Sequence, residues 1–436
     1  MAAVFENKNI LCGISGSIAA YKVCDWVRSL QKEGAEVKAV MTRAATKFVS
    51  PLTFAALTGS PVYGSMFSGR DEERIPHISL ARESDLILVA PATAQTIARL
   101  AHGLADDLLA AIVLASEAKI VVCPAMNCRM YLHAATQENI RKLKEYGYLV
   151  LEPDCGMMAC GEEGPGRLPE WVQVRDALIK ALSPQELAGR TVLVTAGPTE
   201  EPLDPVRFLG NRSSGKMGYA MAAVARQLGA RVILISGPTR LAPPSGVELI
   251  SVRTAEQMYH EVVNRFDVAD IIVKAAAVSD FRPARMSAAK IKKSGETMGL
   301  ELARNQDILQ TLGEIKKQKS NPPLLIGFAA ESDNLLAYGR DKLEKKNLDF
   351  IAINDITAPD SGFGVDTNRV ILLDRNGGQT DLPLLSKEET ARAIWRAIVG
   401  AGSKPALCMV APTDQAAPLP RPVPVRPWTA ADPAER

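Results

Sequence analysis

Residues 9–22 read NILCGISGSIAAYK. A short apolar run of strand character ends in a turn carrying Gly13 and Gly16, and a helical pattern begins near Ser17. Strand, glycine turn and helix in that order open a doubly wound α/β domain, because the turn sends the chain back across a sheet face within a few residues. The rest of the first half continues the alternation. AEVKAVMT (35–42), DLILVAPAT (85–93), KIVVCPAM (119–126) and YLVLEP (148–153) are apolar runs of strand length, and helical patterns run from Ser17 to Lys32, Thr93 to Leu104 and Gln137 to Tyr146. Near-continuous apolar strands alternating with helices predict a parallel sheet covered on both faces.

At 181–190 the chain reads ALSPQELAGR, a polar stretch with proline and glycine, and the alternation then restarts. TVLVTAGPT (191–199), ARVILISGP (230–238), VELISV (247–252), DIIVKAAAVSD (270–280), LLIGFAAE (324–331), DFIAIND (349–355) and RVILLDR (369–375) supply a second set of strands. The expected fold class is therefore α/β, with two doubly wound, Rossmann-like domains in series over residues 1–185 and 189–400. A length of 436 residues agrees with more than one core. Residues 401–436 are rich in proline and alanine without apolar periodicity, so a disordered tail is expected there; PLPRPVP (418–424) reads either as uninformative tail or as a polyproline ligand.

A net charge of +2, with 47% hydrophobic and 23% charged residues, gives no electrostatic reason to expect nucleic acid or an acidic membrane surface. No apolar stretch reaches the roughly 20 residues of a membrane helix, and the start shows no cleavable leader pattern. Seven scattered cysteines do not form a secreted disulfide framework. The expected setting is cytoplasmic, with reduced thiols.

The turn in residues 13–17 is a natural phosphate cradle, with Gly13, Ser15, Gly16 and Ser17 at a helix start. It lacks the third glycine of the dinucleotide fingerprint, and the second strand ends in Thr42 where a ribose-binding acid is wanted. A mononucleotide fits better. Pro91, Ala92 and Thr93 in APATAQTIARLAHGLADDLL (90–109) and Asn127 in PAMNCRM (124–130) follow strands, where open α/β sheets bind ligands. His77, after Pro76, begins a helix-like segment. The plain reading of each is structural: a turn glycine, a turn asparagine, a solvated histidine.

DCGMMACGEEGPGR (154–167) is compatible with a metal clip, a redox pair or a mobile flap with one reactive thiol, and Cys123-x4-Cys128 and Cys155-x4-Cys160 have zinc-like spacing. GNRSSGKM (210–217) comes within one residue of a P-loop, but EEPLDPVRFL (200–209) separates it from its strand and Met217 cannot ligate Mg2+. Anion binding at the helix it opens remains in keeping with the sequence.

GISGSIAAYK, SPLTFAALTG, HISLARESDLILVAPATAQTIARLAHGLADDLL, PAMNCRMY and MACGEEGPGRL, over about residues 8–180, resemble the flavin-containing cysteine decarboxylases. More closely, they resemble the decarboxylase half of the bifunctional phosphopantothenoylcysteine decarboxylase/phosphopantothenate–cysteine ligases of bacterial coenzyme A synthesis. The resemblance implies a flavodoxin-like FMN domain in which Gly13, Ser15, Gly16, Ser17, Thr42, Pro91, Ala92 and Thr93 contact the cofactor. It implies Cys160 as proton donor on a flap, His77 at the flavin and Asn127 on the substrate carboxylate. Loss of CO2 from a cysteine carboxylate leaves a carbanion without an electron sink; FMN supplies one by first oxidising the thiol, and an acid must later protonate the reduced product. Gln95 stands where the family has Asn or Asp.

TAGPTEEPLDPVRFLGNRSSGKMG, AAAVSDFRP, KIKK, GFAAES, KLEKKNLDFIAIND and GFGVDTNRV, over about residues 189–400, resemble the ligase half. That half is expected to activate 4'-phosphopantothenate with CTP and Mg2+ as an acyl-cytidylate, which L-cysteine then attacks. The resemblance places Asn211 and Lys290 in catalysis, with Lys292 and Lys293 accessory, and Asp280, Asp307, Ile308, Leu309, Phe328, Lys342 and Lys346 at the nucleotide. NQDIL (305–309) departs from the family's Asn-Pro-Asp-Ile-Leu at Gln306, which removes a preset backbone angle. Homo-oligomers, with decarboxylase trimers and ligase dimers, are implied; Mg2+ ligands are not. Two rivals share the flavin fold: a non-catalytic flavin-binding regulatory subunit and a prenylated-flavin synthase.

Overall fold

The computed structural model describes residues 4–67, 75–292, 298–331, 334–355 and 365–401. Of the expected tail at 401–436, Ala401 ends the last helix, and residues 402–436, like Lys293, Ser332 and residues 362–364 of GFGVDTNRV, lie outside the described residues.

The first half runs β1 (Asn9–Ile14), α1 (Ala20–Lys32), β2 (Glu36–Met41), α2 (Pro51–Thr58), β3 (Val62–Tyr63), α3 (Pro76–Glu83), β4 (Leu86–Ala92), α4 (Ala94–His102), α5 (Leu108–Ala115), β5 (Lys119–Pro124), α6 (Cys128–Leu132), α7 (Ala134–Glu145), β6 (Leu149–Val150), β7 (Asp154–Met157), β8 (Glu163–Arg167) and α8 (Trp171–Leu182). Six strands form a parallel sheet in the order β3-β2-β1-β4-β5-β6, and β7 and β8 form a separate antiparallel hairpin. Without the two-residue edge strand β3, the order is that of flavodoxins. The direction of winding reverses between β1 and β4, which pair in register from Ile10↔Leu86 to Gly13↔Val89. A crevice opens at such a reversal, at the carboxyl ends of the strands.

Side chains alternate across this sheet into two cores. Ile10, Cys12 and Ile14 join Val23, Val27 and Leu178 on one face; Leu11, Ile87 and Val89 join Ile97, Leu109 and Ile112 on the other. Full burial of each large aliphatic contributes about 1.5–3 kcal/mol. Gly13 leaves room for α5: a Cβ there would lie 2.4 Å from Leu109 Cδ1.

Helix ends differ from the sequence expectation where side-chain caps act. Thr93 stays extended and accepts from Thr96 N–H at 3.3 Å, so α4 starts at Ala94, and left-handed Gly103 stops it. His133 Nδ1 accepts from Ala135 N–H at 3.2 Å and starts α7 three residues before the periodic pattern. Residues 17–19 form a turn, so α1 begins at Ala20 rather than Ser17.

The second half runs β9 (Thr191–Ala196), β10 (Glu200–Pro202), β11 (Phe208–Gly210), α9 (Lys216–Gln227), β12 (Arg231–Ser236), β13 (Glu248–Ser251), α10 (Ala255–Val263), β14 (Ile271–Lys274), β15 (Phe281–Pro283), β16 (Leu302–Arg304), α11 (Ile308–Lys317), β17 (Leu324–Glu331), α12 (Leu335–Lys345), β18 (Phe350–Asp355), β19 (Thr367–Asp374), β20 (Gln379–Ser386) and α13 (Lys387–Ala401). Its eight-stranded sheet, β13-β12-β9-β14-β17-β18-β19-β20, repeats the reversal between β9 and β14 and closes with two antiparallel strands. Gly218 brings α9 onto β9, since a Cβ there would sit 2.6 Å from Ala196 Cβ. Among the described residues no helix is long and apolar enough to cross a membrane.

Candidate active sites

The first crevice begins where β1 turns into α1. Ser15 is buried, and its hydroxyl is committed between strands: it donates to the Pro91 carbonyl at 2.6 Å and accepts from Thr93 N–H at 3.0 Å. Ser15 therefore locks the carboxyl ends of β1 and β4 together, in addition to standing in the expected cradle. Gly16 is pressed on Ala44, 2.4 Å from a would-be Cβ. Thr42 follows β2, and its hydroxyl accepts from Ala45 N–H at 3.3 Å. The N-cap of α1 makes no side-chain cap, and the N–H groups of Ala19, Ala20 and Lys22 turn back onto Ser17 Oγ, Ser17 O and Ala19 O at 3.4, 3.0 and 3.1 Å, so the helix dipole rather than a set of free donors favours an anion there. Gly16, Ser17 and that first turn suit the phosphate of a mononucleotide, with Thr42, Pro91, Ala92 and Thr93 on neighbouring strand ends.

A cleft of about 480 Å³ lies beside this turn, lined by Tyr21, Lys22, Asn127, Met158, Cys160 and Arg167 among others. The β7–β8 hairpin is its flap. Gly166 lets the hairpin lie flat on the PAMN turn: Met126 N–H donates to the Gly166 carbonyl at 3.0 Å, and a Cβ at Gly166, whose φ is +152°, would meet Met126 O at 2.2 Å. The tip turns through Met158–Glu162, closed by Met158 N–H to Glu162 O at 2.9 Å. It places the exposed Cys160 over the cleft.

Asn127 caps α6 through its Oδ1, which accepts from Arg129 N–H at 2.9 Å, so its amide Nδ2 points at the flap tip. Nδ2 lies 3.4 Å from Cys160 Sγ and donates to Glu162 Oε2 at 2.6 Å. Cys128 Sγ is 3.6 Å from the same oxygen, and Arg129 Nε is 3.3 Å from Glu162 Oε1. The bonds from Asn127 and Cys128, with the Arg129 charge, hold the Glu162 carboxyl below the usual carboxylate range. Asn127 and Cys160 are thus brought together. His77, half-buried in the first turn of α3, does not line this cleft.

Cys123 is buried in the core at the end of β5, Cys128 faces Glu162, and Cys155 and Cys160 are exposed free thiols. Among the described residues no group of three or more His, Cys, Asp or Glu is placed to hold a metal ion.

In the second crevice α9 starts at left-handed Gly215 without a side-chain cap. Lys216 does not turn back over this loop as a P-loop lysine would; it pairs with Asp366 at 2.5 Å. Asn211 reaches across the reversal, donating from Nδ2 to the Ala277 and Val278 carbonyls at 3.2 and 3.1 Å. Asn305, in place despite Gln306, holds the adjacent loop through Nδ2 to Ser279 O at 2.8 Å and its own N–H to Asp280 O at 2.9 Å. Asp307 caps α11 and pairs with Lys346 at 2.8 Å. Burial opposes ionisation of Asp307, but Lys346 and the Gln310 N–H outweigh it and keep its carboxyl low. Ile308 is buried under α11, Leu309 and Phe328 are half-buried, and Lys342 lies one turn before Lys346.

Two residues of this site escaped the sequence reading. Lys274 ends β14 at the reversal, only 7% exposed, and its one described hydrogen bond is from Nζ to Ala276 O at 3.3 Å. Burial pushes its pKa down to about 7, with Asp307 and Asp280 raising it and Lys346 lowering it. Asp204 ties the exposed Lys290 segment to the β10–β11 hairpin by accepting from Ile291 N–H at 3.2 Å and from Val206 and Arg207 N–H at 2.8 and 2.9 Å. A lysine at the end of an apolar strand run and the Asp-Pro pair at 204–205 were the available signals.

Residues 4–183 match the family model described as Flavoprotein, and residues 187–401 match the DNA/pantothenate metabolism flavoprotein C-terminal domain. The coenzyme A biosynthesis bifunctional protein CoaBC of Bacillus subtilis (strain 168) is 46% identical over 399 residues, covering 91% of this chain and 97% of the relative. The chain belongs to the family of coenzyme A biosynthesis bifunctional proteins. Its similarity to the CoaBC of Escherichia coli (strain K12) is 42% over 397 residues, 90% of this chain and 97% of that one. A crystal structure of the C-terminal domain of a coenzyme A biosynthesis bifunctional protein CoaBC is 42% identical over 51% of this chain and all of that one, with a TM-score of 0.43. Both crevices described above therefore fall in the two halves of a bifunctional enzyme.

Proposed function

We infer that the chain carries out two consecutive steps of coenzyme A biosynthesis: condensation of 4'-phosphopantothenate with L-cysteine in the second domain, then decarboxylation of the product to 4'-phosphopantetheine in the first. The observation that carries the reading is the meeting of a free thiol, Cys160, and an oriented amide, Asn127, under a hairpin beside an uncapped helix start.

In the decarboxylase, FMN bound at the α1 turn would supply the electron sink that loss of CO2 requires. Gly16, Ser17 and the first turn of α1 would hold its phosphate; His77, which stands outside the Asn127–Cys160 cleft, would act at the flavin by the family resemblance alone. Asn127 Nδ2 binds the substrate carboxylate. Cys160 on the flap delivers a proton from Sγ to the product carbon, and the hairpin above it excludes water.

In the ligase, CTP lies across the β9–β14 reversal. Mg2+ would be held chiefly by the nucleotide phosphates and would neutralise their charge, since this ion usually takes few protein ligands. Asp280, Asp307 with Ile308 and Leu309, Phe328, Lys342 and Lys346 position the nucleotide, Lys290 meets the negative charge that develops on phosphate oxygens, and Asn211 holds the acyl intermediate. Lys274 adds a cation to this crevice when it is protonated. A homo-oligomer of decarboxylase trimers and ligase dimers is part of the same proposal.

Mass spectrometry of products tests the reading. The full chain, with 4'-phosphopantothenate, L-cysteine and Mg2+, should make 4'-phosphopantetheine with CTP and much less with ATP. Accumulation of phosphopantothenoylcysteine would sink the decarboxylase assignment alone; no product with either nucleotide would sink the ligase assignment, and phosphopantothenoylcysteine supplied directly then tests the decarboxylase.

A further inference from the structure

The flap carries a carboxylate on the very amide where the substrate's is expected. Both N–H bonds of Asn127 Nδ2 go to the flap tip, one to Glu162 Oε2 at 2.6 Å and one toward Cys160 Sγ at 3.4 Å, while Oδ1 is fixed by Arg129 N–H. Arg129 Nε faces the second oxygen of Glu162. The Asn127 amide and the Arg129 guanidinium, two donors suited to an incoming carboxylate, are thus already on Glu162, and Glu162 follows Cys160 by two positions in the same turn. A second carboxylate cannot take the same amide hydrogen, and two carboxylates side by side repel.

We propose that Glu162 is a built-in stand-in for the substrate carboxylate, which displaces it from Asn127 on binding and yields the place back when it departs as CO2. The proposal rests on the reading that Asn127 receives the substrate carboxylate. Its consequence is an order of events. While the carboxylate is attached, Asn127 is occupied and the flap tip is held off. Once neutral CO2 has left, the amide regains Glu162, and the return of Glu162 draws Cys160 over the carbon that needs a proton. Glu162 is in this sense a positioning residue that acts through Asn127 and Cys160.

The test compares two unreactive probes on the FMN-loaded full chain: 4'-phosphopantothenoyl-L-serine, whose hydroxyl replaces the thiol, and the same compound without its carboxylate. Binding is followed by the absorbance of the bound flavin, which the ligase site does not sense. In Glu162→Gln, loss of the competing charge should tighten the serine probe about tenfold and leave the decarboxylated probe within about twofold, in keeping with the strength of a charged hydrogen bond. Turnover of phosphopantothenoylcysteine should show the split in kinetic form, with KM lowered and kcat lowered by about tenfold because Asn127 no longer draws the flap tip back. Glu162→Ala, which removes any acceptor, should give the larger change in the ratio of the two affinities. That ratio cancels a general loosening of the hairpin, so equal weakening of both probes, or no change in their ratio in either variant, overturns the proposal. If Asn127→Ala binds both probes as the unmodified chain does, the reading of Asn127 fails first and the proposal falls with it.

Discussion

Replacing Lys274 with methionine should stabilise the nucleotide-free second domain, by an amount that depends on pH. Lys274 is 7% exposed, and among the described residues no carboxylate lies within ion-pair distance of it. Its pKa falls from an ordinary 10.5 to about 7, chiefly through burial, against the pull of Asp307 and Asp280 and with the push of Lys346. At about 1.4 kcal/mol per pKa unit, that fall corresponds to a destabilisation on the order of 5 kcal/mol. The unfolded chain holds the proton up to about pH 10.5, whereas the folded chain releases it above about 7. Stability therefore rises with pH between those values, because the unfolded state binds more protons there. Methionine keeps the buried alkyl volume and never charges. The variant should thus exceed the unmodified chain by up to about 5 kcal/mol at pH 7 and by about 2 kcal/mol at pH 9, with the gap closing toward pH 10.5. Urea melts of the full chain, read by hydrogen exchange in peptides spanning β14, isolate this domain's transition. A gap that does not change with pH, or a variant less stable at pH 7, would refute the reasoning. The same substitution should weaken CTP binding, since the protonated amine faces the crevice; such a trade of stability for function is common at binding sites.

Cys160→Ser should still release CO2 yet form 4'-phosphopantetheine roughly 1000-fold more slowly, with an oxidised enethiol species accumulating; product formation at the normal rate would remove Cys160 from the acid role. Gly166→Ala sets a Cβ 2.2 Å from Met126 O and should lift the flap, cutting decarboxylation by roughly 100-fold while ligase activity is unchanged in a coupled pyrophosphate assay. Lys316 and Asp349 form a buried ion pair, 7% and 8% exposed. Lys316→Ala should cost about 3 kcal/mol in urea melts, the low end for breaking such a pair, because Arg375 and Leu325 N–H still face Asp349.

The alternation of apolar strands and helices made both sheets legible, because a buried parallel strand has almost no freedom in composition. The positions of Thr93 and Asn127 just beyond β4 and β5 were legible for the same reason, whereas Asp280 rested on the family resemblance. Roles that depend on the register of a turn were not. Ser15 was read as a cradle residue, yet its hydroxyl is spent tying β1 to β4. Glu162 lay in plain view in ACGEEGPGR, but a glycine-rich hairpin has no apolar pattern to say which of two adjacent glutamates reaches Asn127. Lys274 looked like the polar end of a strand, and only its burial near Asp307 and Lys346 in the folded chain reveals it as a buried amine.

The two domains start from one plan and diverge in what is laid over it. Each has a first helix whose N-cap makes no side-chain cap, and a reversal of strand order; in the second domain the β10–β11 hairpin stands between the first strand and that helix. Over the first crevice a hairpin brings a thiol and a carboxylate, groups able to move a proton and to exchange with a carboxylate; over the second, loops and helix ends bring an asparagine and several lysines, suited to phosphates. Amide formation consumes the amine of cysteine and leaves its thiol and carboxylate untouched. On the proposed reading, those are the two groups that Asn127 and Cys160 act on in the first crevice, so the chemistry of the ligase step itself would prepare the substrate of the decarboxylase step.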